Sequence, residues 1–349
     1  MPPKKEKEIS FLQRHEFFLF IISFFVFLIL LAFFSNLPIL TAESACGDGT
    51  LYGTCSVVKP YYCTDGFLIE QASLCGCSEG AIREGDSCTT PLQTEPRETK
   101  LYYILDGEER ELKFITYGGL TDYLSQLSRV ISYENGGKPL RADFKLKNIN
   151  EEEQRKLLLP LVIQIQNLTK NKEDQARIAI SLVQNIEYGF SNKTENFFGQ
   201  TVNYSRYPYE VLYESQGICG EKSELLAFLL KEFGYGVVIF YNQKENHESI
   251  GIKCPMKESY RDTGYCFVET TGSSILTDDS IEFIGGVTLQ SEPEVIFISD
   301  GVSLPEDMPE YRDAETLKNI RAGKIVLFQN SRLEKLKEKY GLIEEYNIG

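Results

Sequence analysis

The sequence predicts an α+β fold in which a cysteine-bearing helix packs on an antiparallel sheet, after a small disulfide-rich module and a transmembrane helix. Three observations carry this. Gly217-Ile218-Cys219-Gly220 opens an amphipathic run from Leu225 to Phe233, followed by strand-like segments at 237–241, 247–253 and 265–270. Six of the nine cysteines crowd residues 46–88. An apolar run at 17–34, broken only by Ser23, lies near the N-terminus behind Lys4, Lys5, Lys7 and Arg14.

The organisation follows in chain order. Residues 1–16 form a basic tail, and 17–40 are long enough to span a bilayer as a helix. The preceding lysines and arginine place the N-terminus in the cytoplasm and the main domain outside, on a single-pass protein. A cleaved signal peptide with its site at 42–44 is the alternative, but the apolar core is longer than the usual secretory one. Cys46, Cys55, Cys63, Cys75, Cys77 and Cys88 lie among Gly, Ser, Thr and Asp without C-x-x-C pairs or histidine, which favours three disulfides over zinc. Export agrees with that chemistry. Six cysteines allow 15 pairings, and spacing does not choose among them.

Residues 89–99 are a polar, proline-bearing linker, the main domain covers 100–292, and 293–349 form a C-terminal extension. Asp106-Gly107 marks a hairpin between 101–105 and 111–115. Helical spacing predicts helices over 120–131, 151–170 and 173–186, with Pro160 kinking or splitting the second. Residues 191–206 read as a loop without periodicity. Beyond the sheet, a strand at 295–298 and a final helix at 331–340 are expected.

The chemistry rests on order. A thiol at a helix N-terminus meets free N–H groups and the positive end of the dipole, which favours a thiolate. His247 is the only histidine besides His15, and it heads a strand; Glu269 lies near the end of the next. Cys219, His247 and Glu269 thus have the order of nucleophile, general base and orienting carboxylate. The Cys219 backbone N–H is one candidate oxyanion donor and the Gln184 side chain another, although a helix-surface glutamine is the ordinary explanation. The polar run Glu221-Lys222-Ser223-Glu224 argues against a tightly buried thiol. Glu221 is a first-turn carboxylate favoured by the helix dipole. Tyr204, Tyr207, Tyr209 and Tyr213 either line a substrate groove or pack the loop beneath the helix. Asn167, Asn192 and Asn203 each begin an Asn-x-Ser/Thr triplet.

These residues resemble the transglutaminase-like superfamily, whose core shares a papain-like logic. The resemblance covers roughly residues 100–290. It rests on Gly217-Ile218-Cys219, His247 at a strand start and Phe267-Val268-Glu269-Thr270-Thr271, with 183–188 and 207–210 similar to the elements that precede the cysteine in prokaryotic members. The third residue is usually Asp in the best-known members and is Glu269 here, whose longer side chain can still orient the imidazole. The resemblance implies a thiol enzyme acting on amide bonds.

Cys254 and Cys266 pose a conflict. If His247 lies opposite Glu269, Cys266 lies opposite Ile250 and Cys254 is four residues away, about 13 Å along the strand. Pairing the cysteines instead sets Glu269 opposite Gly251. The catalytic register is preferred, and the disulfide is expected only with a bulge or curled loop.

A net charge of −15 disfavours nucleic acid as a partner, and no phosphate-binding glycine loop is present. No cofactor or metal is implied. The expected function is an exported, membrane-anchored thiol enzyme that cleaves or transfers peptide or protein amide bonds, with a peptide or protein as substrate. The alternative is a non-catalytic domain of the same fold that binds an extracellular peptide or envelope polymer.

Overall fold

The computed structural model describes residues 23, 24, 26, 27 and 45–342, apart from 134–136, 198, 281–287 and 325–328. The span expected at 17–40 therefore lies almost wholly outside the described residues. Among the described residues, no helix is long and apolar enough to cross a membrane. Ala45–Gly349 group as one compact unit, and Met1–Ser44 as another.

Strands whose residues are buried on both faces at the centre build a four-stranded antiparallel sheet in the order Tyr265–Val268, His247–Lys253, Val237–Asn242, Glu294–Ser299. One face packs Val237, Ile239, Ile250, Ile252 and Val268 into the main core beneath the helix Cys219–Glu232. The other face gathers Val238, Phe240, Tyr260, Phe267 and Leu289. Gly251 sits between these aromatics: a Cβ there would lie 2.5 Å from Val238 Cγ2 and 2.7 Å from Phe240 Cε2. The edge strand Glu294–Ser299 completes the sheet, so the start of the segment read as a C-terminal extension pairs with the main domain's strands. It is followed by the helices Pro309–Arg321, not foreseen, and Gln329–Tyr340.

The hairpin Pro96–Leu105 and Glu108–Tyr117 turns on Asp106 and Gly107, both at positive φ, as a two-residue primed turn requires. Its first strand begins inside the segment read as a linker. The first expected helix spans Gly118–Gln126, shorter than its periodicity suggested, and Arg141–Ile149 is a further helix. Residues 191–206 contain a short hairpin, Thr194–Phe197 with Gln200–Asn203, where a loop was expected.

Pro160 neither splits nor ends its helix, which runs unbroken over Glu152–Leu168. Its neighbours Leu157, Leu158, Leu159, Leu161 and Val162 are all buried, and their packing outweighs one missing backbone donor.

In the N-terminal module the six cysteines pair as Cys46–Cys63, Cys55–Cys75 and Cys77–Cys88. The module does not hang free. Cys46, Tyr61, Cys63 and Leu68 share a small core with Ile163 of the long helix. Asn167 accepts from Leu68 N–H at 2.8 Å and donates to Leu68 C=O at 3.0 Å, while Gln175 Nε2 donates to Gly47 C=O at 2.8 Å.

Candidate active site

Cys219 is the first residue of its helix, half-buried, and the one cysteine among the described residues outside a disulfide. Its helix start is fixed by Glu221. That carboxylate accepts from the backbone N–H of Ile218 at 3.1 Å, from the N–H of Arg206 at 2.8 Å and from Arg206 Nη1 at 3.0 Å. Glu221 therefore caps the helix as its position in the first turn suggests, and also anchors the preceding loop through a buried arginine.

The polar run that argued for an open thiol is in fact buried throughout: Glu221, Lys222, Ser223 and Glu224 are each at most 3% exposed. Each has a partner. Ser223 Oγ donates to Glu248 C=O at 3.3 Å and lies 3.2 Å from Thr270 Oγ1. Lys145 Nζ reaches Glu224 Oε1 at 2.7 Å and Glu248 Oε2 at 2.6 Å. Burial alone would depress Lys145, but the charges of these two glutamates outweigh it and raise it above the usual lysine range. Gly220 faces this cluster, where a Cβ would lie 2.7 Å from Glu248 Oε2.

His247 starts its strand and is buried. Its Nε2 lies 2.9 Å from Glu269 Oε2, and the Cys219 side chain favours the charged form of the same imidazole. Nε2 is thus the ring nitrogen that the carboxylate engages. Burial works against the imidazolium, but the charge of Glu269 and the hydrogen bonds with Cys219 and Glu269 outweigh it and push His247 from 6.5 up to about 10.

Glu269 follows directly on the strand Tyr265–Val268 and is 1% exposed. Its second oxygen, Oε1, accepts from Thr271 N–H at 2.7 Å and from Thr271 Oγ1 at 2.5 Å. Burial would raise this carboxyl; the charge and hydrogen bond of His247, with those from Thr271, hold it below the usual range. Sequence reasoning gives Thr271 no role of its own. Its signal was local, a hydroxyl two residues after a carboxylate.

The strand register corrects the conflict between histidine and disulfide. Ile250 pairs with Val268 and Ile252 with Cys266, midway between the two alternatives. Continued outward, this sets Glu269 opposite Ser249 and Cys254 opposite Gly264, whose C=O accepts the Cys254 N–H at 3.1 Å. Both pairs are thus diagonal neighbours on one sheet face, within reach of each other. His247 meets Glu269, and Cys254–Cys266 is a disulfide with Cα atoms 5.7 Å apart. No bulge is needed.

Gln184 is buried rather than on a helix surface. Its Nε2 is spent on the C=O of Glu269 at 2.9 Å and on Ser274 O and Oγ at 3.3 and 3.2 Å, making it a strut beneath the Glu269 segment. The tyrosines divide likewise toward packing. Tyr204, Tyr207 and Tyr209 are buried, Arg129 stacks on the first two rings, and Tyr209 Oη accepts from Tyr117 N–H at 2.6 Å. Tyr213 is half-buried against the same core.

No protein-family model and no curated protein matches the chain. Among solved structures it is similar to LapG of Legionella pneumophila, at 14% identity and a TM-score of 0.23 over 38% of this chain and 75% of LapG. The calcium-bound form of LapG gives 14% identity and a TM-score of 0.25 over 50% of this chain and 98% of that one. The EGTA-treated form gives 14% and 0.22 over 38% and 73%. This is a distant likeness, and it carries no argument about activity. The mixed α+β description rests on the sheet and helices themselves.

Proposed function

We propose that the chain is a thiol enzyme acting on amide bonds of peptides or proteins, with Cys219 as nucleophile, His247 as general base and acid, and Glu269 as the orienting carboxylate. One observation carries the reading: a buried imidazole joined to Glu269 at 2.9 Å, on a chain whose one cysteine outside a disulfide among the described residues starts a helix. Such an arrangement supplies the requirements of nucleophilic acyl transfer in order.

His247 is raised to about 10 and so already carries a proton at neutral pH, and Cys219 Sγ, its own proton passed to that imidazole, attacks the amide carbonyl carbon. The carbonyl oxygen gains the negative charge and faces the Cys219 backbone N–H, one of the unpaired donors of the first helical turn. Collapse breaks the C–N bond, and His247 returns its proton to the leaving amine, giving a thioester on Cys219. Water or an amine then attacks the thioester with His247 again as base, and the thiol is restored. Glu269 holds the ring with the Nε2–H directed to itself, and Nδ1 carries these transfers. The same reading places the domain outside the membrane on an N-terminal anchor; the apolar run at 17–40 behind basic residues and the eight disulfide-bonded cysteines support this.

A thiol-directed electrophile tests it. Wild type is expected to react faster than free cysteine and Cys219→Ala not at all, with turnover of a peptide library lost in Cys219→Ala. Reaction no faster than free cysteine sinks the nucleophile. Peptide binding unchanged in Cys219→Ala, with no turnover by wild type, identifies a binding domain instead.

A further inference from the structure

The thiol helix carries a second ionisable group that the proposed mechanism does not use. Lys222 lies one turn beyond Cys219 and is 0% exposed. Its Nζ donates to the C=O of Ile186 at 2.5 Å, of Gln184 at 3.3 Å and of Thr271 at 3.5 Å. An ammonium has three N–H donors and no acceptor, and three carbonyl oxygens surround it. Gln184 is the last residue of the helix Lys172–Gln184, where the dipole favours a cation, and Ile186 follows two residues later. The third belongs to the residue that hydrogen-bonds Glu269 through both its N–H and its hydroxyl.

The path to this position is built. Gly217 runs beside the lysine stem, and a Cβ there would lie 3.1 Å from Lys222 Cγ and 3.2 Å from Val211 Cγ1. Gln184 acts on the same segment from the same side. Its backbone carbonyl takes the lysine while its side chain donates to Glu269 C=O. A buried lysine is costly: desolvation lowers it to about 7, with the charge of Glu269 pulling the other way. An apolar side chain would fill the space without that cost, so the contacts it makes are what distinguish it.

Resting on the thiol-enzyme reading, we infer that Lys222 is a positioning residue: it clamps the Glu269–Thr271 segment to the thiol helix and so keeps the carboxylate on His247. Three segments meet at one nitrogen, namely the helix that carries the nucleophile, the end of the helix Lys172–Gln184, and the turn that carries the orienting carboxylate. The parallel pairing of Gln216 and Gly217 with Glu187 and Tyr188 joins the first two nearby, and the lysine ties the third to them.

The test reads His247 in the resting full-length protein. His15 and His247 are the only histidines, so a His15→Gln background leaves one imidazole to titrate by NMR. Lys222→Met keeps the length and removes all donors. In variant protein shown folded by near-UV circular dichroism, the His247 midpoint should fall by about one pH unit or more, because its carboxylate partner is released. An unchanged midpoint means that the lysine only fills space, and a raised midpoint means that it acts only as a charge opposing the imidazolium; either overturns the inference. If Lys222→Met does not fold, Lys222→Gln retains an N–H donor pair and should give a smaller fall, with an unchanged or raised midpoint again overturning it. Because the readout needs no turnover, it can fail while Cys219 remains a nucleophile. A wild-type thiol without enhanced reactivity would instead sink the enzyme reading and leave this measurement standing.

Discussion

His247 and Glu269 sit on neighbouring strands two residues out of direct opposition, yet their side chains meet at 2.9 Å in a buried contact. A directly opposed pair would have suited a short carboxylate. The diagonal offset instead favours a longer arm, and Glu269 has one methylene more than Asp. Its remaining oxygen is fixed by Thr271, so the extra length is immobilised rather than left to wander.

Glu269→Gln keeps the shape but loses the charge and one acceptor. The His247 midpoint should fall from about 10 toward its ordinary 6.5, and the rate constant for peptide turnover by at least about tenfold. Titration and single-turnover kinetics on the same preparation check both.

The pair also links stability to pH. His247 is raised in the folded state, so its contribution is fully present below the unfolded value of 6.5 and is lost as pH rises through about 10. Glu269 is depressed, so its contribution is present above the unfolded value of 4.5 and is lost as pH falls through its folded value. The difference in unfolding free energy between wild type and His247→Asn should therefore be largest between pH 4.5 and 6.5 and shrink on both sides. Urea titrations across that range measure it. A difference that grows from pH 7 to 10 contradicts the assignment.

Cys254 and Cys266 are 12 residues apart in sequence and join the two strands that present His247 and Glu269. Replacing both by serine should cost about 3 kcal/mol by removing the restraint on the unfolded chain. Denaturation without reductant checks it, and retained labelling of Cys219 would show that the diagonal contact survives without the cross-link.

Gly251→Ala should cost roughly 1–3 kcal/mol, because the new methyl meets Val238 and Phe240 in a packed cluster. Thermal unfolding reads this directly. Asn167→Ala should lose roughly 1–3 kcal/mol through the two Leu68 backbone groups it leaves unpaired, with faster amide exchange in the hairpin Tyr61–Glu70. The same contacts make the Asn167 triplet a poor glycan acceptor, which intact mass after expression in a glycosylating host would show.

Local signals in the sequence were legible. Asp106-Gly107 names its turn because two positive-φ residues are needed there, and Cys219 names its helix start because small residues precede an apolar run. Nonlocal facts were not. Strand alternation fixes which face His247 and Glu269 occupy but is blind to a shift of two, so the register that satisfies both histidine and disulfide lay hidden between the two considered. Lys222 and Glu224 look like a solvated helix face because their partners, the carbonyls near Gln184 and the Lys145 ammonium, are 36 to 79 residues away in sequence. Pro160 misled for the opposite reason: a local rule was overridden by a core that only the whole chain assembles.

Eight cysteines are committed to four cross-links, and the ninth, Cys219, stands by itself. A peroxide-oxidised sulfenic acid at that sulfur would have no neighbouring thiol in its own chain to resolve it. Its protection must then come from outside, through a reversible mixed disulfide with a small diffusible thiol, or the sulfur proceeds to irreversible sulfinic acid. Arrested activity and its recovery would thus track the thiol pool around the protein rather than any rearrangement within it.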